Sequence, residues 1–518
     1  MNVCVVLTYF AFTAFILRLI LVMKYQRLLL FFVVYVNIAV SQELIDQTTF
    51  SADAYNIGKM GYPSRICTDT RGNAVYVEYF QATNGRRMAN RYVQAINPKK
   101  YEELWAKPIT KEGQPPMNFK DIRRLDRSFL IFGTQEDPKS KVYKVVGQFF
   151  SLTGSEIGPL QNISNYETFD VKSKGFVDEY AISSDSTKFL WLGMNPNEDP
   201  KKRRHFASVW GGDGRYLWSQ ELQLPRAAER YIIRQALVDK RGNAYFLMTY
   251  EKYTNTAADT AKLPVIVKYD FKQKSYAEFP IVLTNASVPA IELFLTTQNE
   301  MVAIGVSAKT TGSGMLNGQK AYSAALRWTD FFYKKFNIME GMRLKQENTL
   351  EIPKSWLEKY KENGANFTQT KAIEKNNQLL WLLEEAYTQN KDGGIQFIRY
   401  DVGIVAINLS EGVIQWATTF EKKQRDFNND FLFSYTPAVV GNKLHCVYVT
   451  EKGAQGNLVV TSVNTETGET NTKELISNQE SLYYFFPARS GMVDEKTMIL
   501  MGVGNPTANE YKLIKIKF

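Results

Sequence analysis

The sequence predicts an all-β fold: a β-propeller of eight four-stranded blades closed by an N-terminal strand, with seven blades as the alternative. Three observations carry this. Short alternating apolar runs bounded by Asp, Asn and Gly recur along the chain after residue 41, while helical periodicity is scarce. The runs return at a near-constant period, and a second, sharper register follows within the same modules.

Residues 1–41 are set aside first, because targeting segments are not fold. Two apolar runs, 3–17 and 28–40, flank the polar patch Lys24, Tyr25, Gln26, Arg27. Neither reaches the roughly 18 to 20 residues that a spanning helix needs. Read from Met23, a basic start, a 13-residue apolar core, and Ala39 and Ser41 at cleavage spacing make a secretory signal. The expected start is therefore Met23, with residues 1–22 an upstream extension. The mature chain is expected to begin near Gln42, to form one domain over residues 42–518, to carry no membrane span, and to be periplasmic, cell-surface or secreted.

Removing Arg18, Lys24 and Arg27, with no acid beside them, takes the net charge from +10 to +7. Spread over the remaining chain this is no nucleic-acid footprint, which needs clustering on one face. Only Cys67 and Cys446 remain beyond the signal, so no disulfide framework is expected. The core must hold by burial, and 44% hydrophobic residues suffice for that at this length.

Eight strand kernels line up at residues 74–79, 129–132, 189–193, 244–250, 301–306, 379–383, 444–449 and 497–502, and five of the seven gaps between their starts lie between 53 and 60 residues. Polar turns precede them, with Asp69 to Asn73 and Asp239 to Asn243 alike in sequence, and Asp126, Asp185, Asn299, Asn377, Asn442 and Asp494 before the others. Such residues tolerate left-handed backbone and cap their own turns. In the second register, Ala406, Ile407, Asn408 leads to Gly412 after six residues and Trp416 after ten. Ser208 leads to Gly214 and Trp218, Ser462 to Gly468 and Thr472, and Ala95 to Tyr101 and Trp105, all at the same offsets. A strand, a tight turn and a returning strand with an inward aromatic require this spacing.

This register resembles the quinoprotein-type propeller repeat, in which a small residue, an aliphatic and an acid or amide precede a Gly turn and a strand carrying Trp. The resemblance implies architecture; quinone-dependent members typically use an adjacent Cys pair, which this chain lacks. No cofactor is expected. The eighth module stops after residues 511–518, its third strand, which would leave an open edge. Residues 48–56 are therefore expected to supply the missing strand.

Within each module the second and third strands are joined by the long connections, and loops on a rigid scaffold concentrate recognition. The expected binding surface is this long-loop face, with Arg86, Arg87 and Arg91 in the first module, Lys201, Lys202, Arg203 and Arg204 in the third, and Tyr253 in the fourth. Glu198 and Asp199 beside the second cluster also fit an ordinary solvated hairpin tip. Asp426, Asn428 and Asp430 begin like a calcium loop, but Phe431 and Pro437 stand where the essential Gly and Glu belong. His205 is expected on a loop and His445 inside a strand, neither near a nucleophile or zinc motif. Glu384 and Glu385 are adjacent strand residues that point to opposite faces. Trp105, Trp218 and Trp416, at equivalent positions, read as packing. Trp356 lies in a short inserted helix that begins at Pro353.

The function expected is thus an exported, non-catalytic scaffold that binds a protein or a glycan on the long-loop face. The alternative is a propeller enzyme acting on carbohydrate through the central channel, for which converging acids would be needed.

Overall fold

Eight antiparallel four-stranded blades follow one another along the chain, as expected, and the seven-blade alternative is set aside. The computed structural model describes residues 43–51, 61–68, 74–83, 86–109, 117–136, 143–164, 177–194, 205–222, 231–250, 264–283, 287–311, 315–316, 319–320, 325–359, 367–391, 394–427, 434–450, 456–478, 484–503 and 510–518. The expected signal segment, Lys201, Lys202, Arg203, Arg204 and Tyr253 lie outside them.

The first strands of the blades are Gly61–Thr68, Met117–Arg124, Val177–Ile182, Tyr231–Val238, Ser287–Leu295, Phe367–Lys375, Thr436–Val440 and Tyr484–Met492. They line the central channel, packing against those of neighbouring blades, and that of blade 8 meets that of blade 1, which closes the ring. Each kernel is the second strand of its blade and alternates its side chains between the two neighbours. Phe129 and Ile131 pack towards blade 1, Leu130 and Phe132 towards blade 3. The core is therefore a set of inter-blade layers rather than one centre.

Closure comes from the amino-terminal segment. In blade 8 the order is Tyr484–Met492, Thr497–Val503, Glu510–Lys517 and, outermost, Glu43–Ser51. The expected closing segment, 48–56, is shifted to Glu43–Ser51, because the partner strand fixes the register: Glu43 opposes Lys517 and Ser51 opposes Glu510.

The turns explain the repeat. In the seven blades with a hairpin between third and fourth strands, the turn holds a left-handed residue: Tyr101, Gly154, Gly214, Lys274, Gly341, Gly412 or Gly468. Gly is favoured there because an aromatic of the preceding blade packs on the bare backbone: a Cβ on Gly468 would lie 2.7 Å from the Trp416 ring. Trp416 Nε1 also donates to Thr465 O (2.9 Å) and Trp218 Nε1 to Gly242 O (2.8 Å), each in the following blade. These tryptophans tie neighbouring blades together, as packing residues should. At the entry turns Asp185, Asp239 and Asp494 accept from the backbone N–H of Thr187, Arg241 and Lys496. Asn299 and Asn377 themselves take the left-handed conformation.

The inserted helix is Lys354–Lys359. Trp356 is buried between blades 5 and 6, with its ring centroid 6.0 Å from that of Phe331. Cys67 belongs to blade 1 and Cys446 to blade 7, and both are free, with burial pushing each thiol up to about 12. A thiol reagent is expected to label neither in the native protein and both once denaturant is added. A linked Cys67–Cys446 peptide in the unreduced digest would contradict the blade order.

Candidate functional site

The expected basic cluster of blade 1 is not a loop. The hairpin between second and third strands is tight, because the ladder runs on past a bulge to pair Thr83 with Arg86. Arg86, Arg87 and Arg91 therefore sit in the strand Arg86–Ile96. Arg91 is half-buried, its guanidinium 5.3 Å from the centre of the Phe119 ring in blade 2. His205 likewise opens the strand His205–Gly211 and is buried, not on a loop. His445 is in a strand as expected; its ring stacks on Phe518 and burial holds it down at about 4.

What brings polar groups together is one level of the channel. Aligned on the second-strand residues that bury against the following blade, the paired first-strand residues are Arg65, Asp121, Glu179, Gln235, Glu292, Lys371, Thr436 and Phe486. All but the last are polar, an unusual choice for strands at the heart of a fold. Four of them do the same job. Asp121 Oδ2 accepts from the Tyr180 hydroxyl (2.6 Å), and Gln235 exchanges two bonds with the backbone of Leu293 (2.8 and 2.9 Å). Glu292 Oε1 accepts from the Ala372 amide (3.0 Å), and Thr436 Oγ1 donates to Pro487 O. Each thus satisfies a polar group on the first strand of the following blade, a ring of inter-blade stitches around the channel.

Lys371 departs from this pattern. It makes no hydrogen bond or ion pair with another described residue and is open to the channel. The blades around it still depress its ammonium below the ordinary lysine value through burial; Cys446 and Glu292 act the other way, and Arg123 adds to the depression. Arg123 is in blade 2 and Lys371 in blade 6, opposite positions in an eight-bladed ring. Arg123 pairs with Asp121 (2.5 Å) and lies over the Tyr180 ring at 4.6 Å, and burial pushes the Tyr180 hydroxyl up to about 12.

Beside Lys371, the Glu292 carboxyl is 9% exposed. Burial raises it to about 7, against the lowering effect of Thr370, the Ala372 amide, Lys371 and the Trp381 indole. Its second oxygen, Oε2, makes no hydrogen bond of normal geometry. The channel thus joins an unengaged cation to a carboxyl that titrates near neutrality.

A second charged group lies at the junction of blades 6 and 7. Glu384, 1% exposed, accepts from Arg399 Nη1 (2.9 Å), Ser434 Oγ (3.0 Å) and Lys422 Nζ. Glu385 is turned away from it and only half-buried, as adjacent strand residues require. Fully enclosed by protein, this group is a structural lock with no access for a ligand.

Among the described residues no group of three or more His, Cys, Asp or Glu could hold a metal, and no helix is long and apolar enough to cross a membrane.

No protein-family model and no curated protein matches the chain. Among solved structures it is similar to the Dos1 propeller, at 9% identity and a TM-score of 0.40 over 88% of this chain and 95% of that one. It is similar to the β-propeller domain of the Trilobed protease from Pyrococcus furiosus, at 11% identity and 0.34 over 77% and 93%. It is also similar to the polysaccharide lyase Uly1, at 10% identity and 0.39 over 88% and 98%. At these values the likeness says nothing of activity, and the eight-bladed assignment stands on the strand pairing of this chain. The quinoprotein-type repeat remains a resemblance in the outer hairpins.

Sequence reasoning missed this collar of polar first-strand residues, Arg65 to Thr436, because its members are scattered through strands of differing composition. No fixed spacing marks them: four residues separate Arg65 from Asp69 but seven separate Glu292 from Asn299. The collar becomes visible only once every first strand is registered against its kernel.

Proposed function

We propose that this chain is an exported, non-catalytic propeller that binds an acidic glycan, drawing its negative groups into the channel mouth and towards Lys371. The observation that carries this is the position of Lys371, a cation at a level where the equivalent side chains Asp121, Gln235, Glu292 and Thr436 are spent on holding blades together. A lysine with no hydrogen-bond or ion-pair partner among the described residues, in the blade opposite that of Arg123, calls for an anion. Export follows from the signal-like residues 23–41. A non-catalytic role is supported by the two histidines, both buried in the blades, and by Glu384, whose oxygens are committed to the lock.

The test is calorimetric titration of the purified chain with a uronic-acid oligosaccharide and with a neutral one of equal length. Binding is expected for the acidic chain alone, weakening steeply between 50 mM and 500 mM salt, with no new reducing or unsaturated ends. Product formation would transfer the protein to the carbohydrate-acting enzymes. Equal binding of both sugars, or of neither, would overturn the proposal.

A further inference from the structure

Deepening the reading just given and resting on it, we infer that Lys371 and Glu292 form a proton-linked anion site in the channel. It takes a carboxylate or sulfate group of an acidic sugar together with a proton on Glu292. Geometry supplies the coupling. Glu292 leaves the first strand of blade 5 to meet the Ala372 amide, so its carboxyl sits one residue along from Lys371 on the first strand of blade 6. The Lys371 side chain is open while Glu292 is nine-tenths buried with one oxygen unengaged. A bound anion would therefore meet the ammonium and feel the charge of the buried carboxyl beside it.

If Glu292 is ionised it neutralises the cation and repels the ligand. If it is protonated the charge of Lys371 is unopposed. Other groups also bear on the pair. Thr370, Lys371 and Trp381 of blade 6 act on Glu292, and Glu292 acts in turn on Tyr435. Arg123 and Cys446 bear on Lys371. None of these is an acid whose titration would mimic that of Glu292.

Glu292 is raised to about 7, so it takes up its proton as pH falls through neutrality, and affinity should rise in that window. The sign for stability is the same. The folded chain holds this proton more tightly than the unfolded chain, so stability from this group declines as pH rises from the ordinary carboxylate range to about 7. Replacing Glu292 by Gln keeps the acceptor for the Ala372 amide and removes the slope.

The experiment titrates the full chain with inorganic sulfate and, separately, with a hexuronate oligosaccharide at pH 6 and pH 8. Three proteins are compared: the unaltered chain, Glu292→Gln and Lys371→Met. The unaltered chain is expected to bind both probes at least about fivefold more tightly at pH 6. Glu292→Gln should bind at pH 8 as the unaltered chain does at pH 6, and its melting temperature should gain on the unaltered chain's as pH rises. Lys371→Met should lose about tenfold or more at both pH values. Hexuronate binding without sulfate binding would mark the site as a carboxylate site. Oligosaccharide binding that ignores both substitutions overturns the site and leaves the functional proposal standing. No oligosaccharide binding at either pH removes both.

Discussion

Deleting residues 43–51 should lower the melting temperature by roughly 10 °C or more. The segment is short, but it is the fourth strand of the last blade and pairs with Glu510–Lys517 through eight residue pairs, from Glu43 opposite Lys517 to Ser51 opposite Glu510. At a net ~0.5–1.5 kcal/mol per hydrogen bond, several kcal/mol go with the ladder. The remaining strand becomes an open edge, which a ring has no other way to cover. Leu513, Ile514 and Ile516, now buried, would lie on that edge strand. Calorimetry measures the shift, and hydrogen exchange should show lost protection over residues 510–517. An unchanged melting temperature would mean that the two chain ends do not hold the ring. A truncation removing only residues 1–42 serves as the control and should melt with the full chain.

The second large effect is expected at the junction of blades 6 and 7. Replacing Glu384 by Leu removes a carboxylate paired with both Lys422, 0% exposed, and Arg399, 6% exposed. Breaking one partner of a buried pair typically costs about 3–5 kcal/mol, because the other charge is left uncompensated. Burial already depresses the Lys422 ammonium, and Glu384 is the largest influence restoring it. Gln424 accepts from Lys422 Nζ (2.7 Å) and donates to Val449 O in blade 7 (2.6 Å), so the loss should spread across the junction. Removing all three charges together, as Glu384→Leu, Lys422→Met and Arg399→Met, should be much milder than Glu384→Leu alone. Denaturant midpoints of the single and triple variants decide this. A triple variant no better than the single would show that the lock stabilises by shape and not by charge pairing.

Neither the lock nor the collar could be derived from spacing. Lys422 stands in the run Lys422, Lys423, with no local mark of burial, and Glu384 in an adjacent acidic pair whose side chains point to opposite faces. Which charges meet depends on how far the hairpin of blade 6 extends and on where its fourth strand turns towards blade 7, and local chemistry sets neither. The basic residues Arg86 and Arg87 misled for a related reason. Charge and polarity suggest a loop, but a β-ladder continues wherever the partner strand offers hydrogen bonds, and here it does as far as Thr83.

By itself the sequence determined the blade. Alternation of apolar residues defines the kernels, Asp and Asn define their entry turns, and Gly six residues along defines the outer hairpin, since all of these are local constraints on backbone conformation. It also determined that the ring must borrow a strand, because a final module that is one strand short leaves hydrogen-bonding groups unmet. Tertiary structure alone decided the register of that borrowed strand, the pairing of Glu384 with Lys422, and the isolation of Lys371 opposite Arg123. These contacts join residues from different elements or blades far apart in the chain. Their distances follow from how the sheets pack around an axis, which no local pattern encodes.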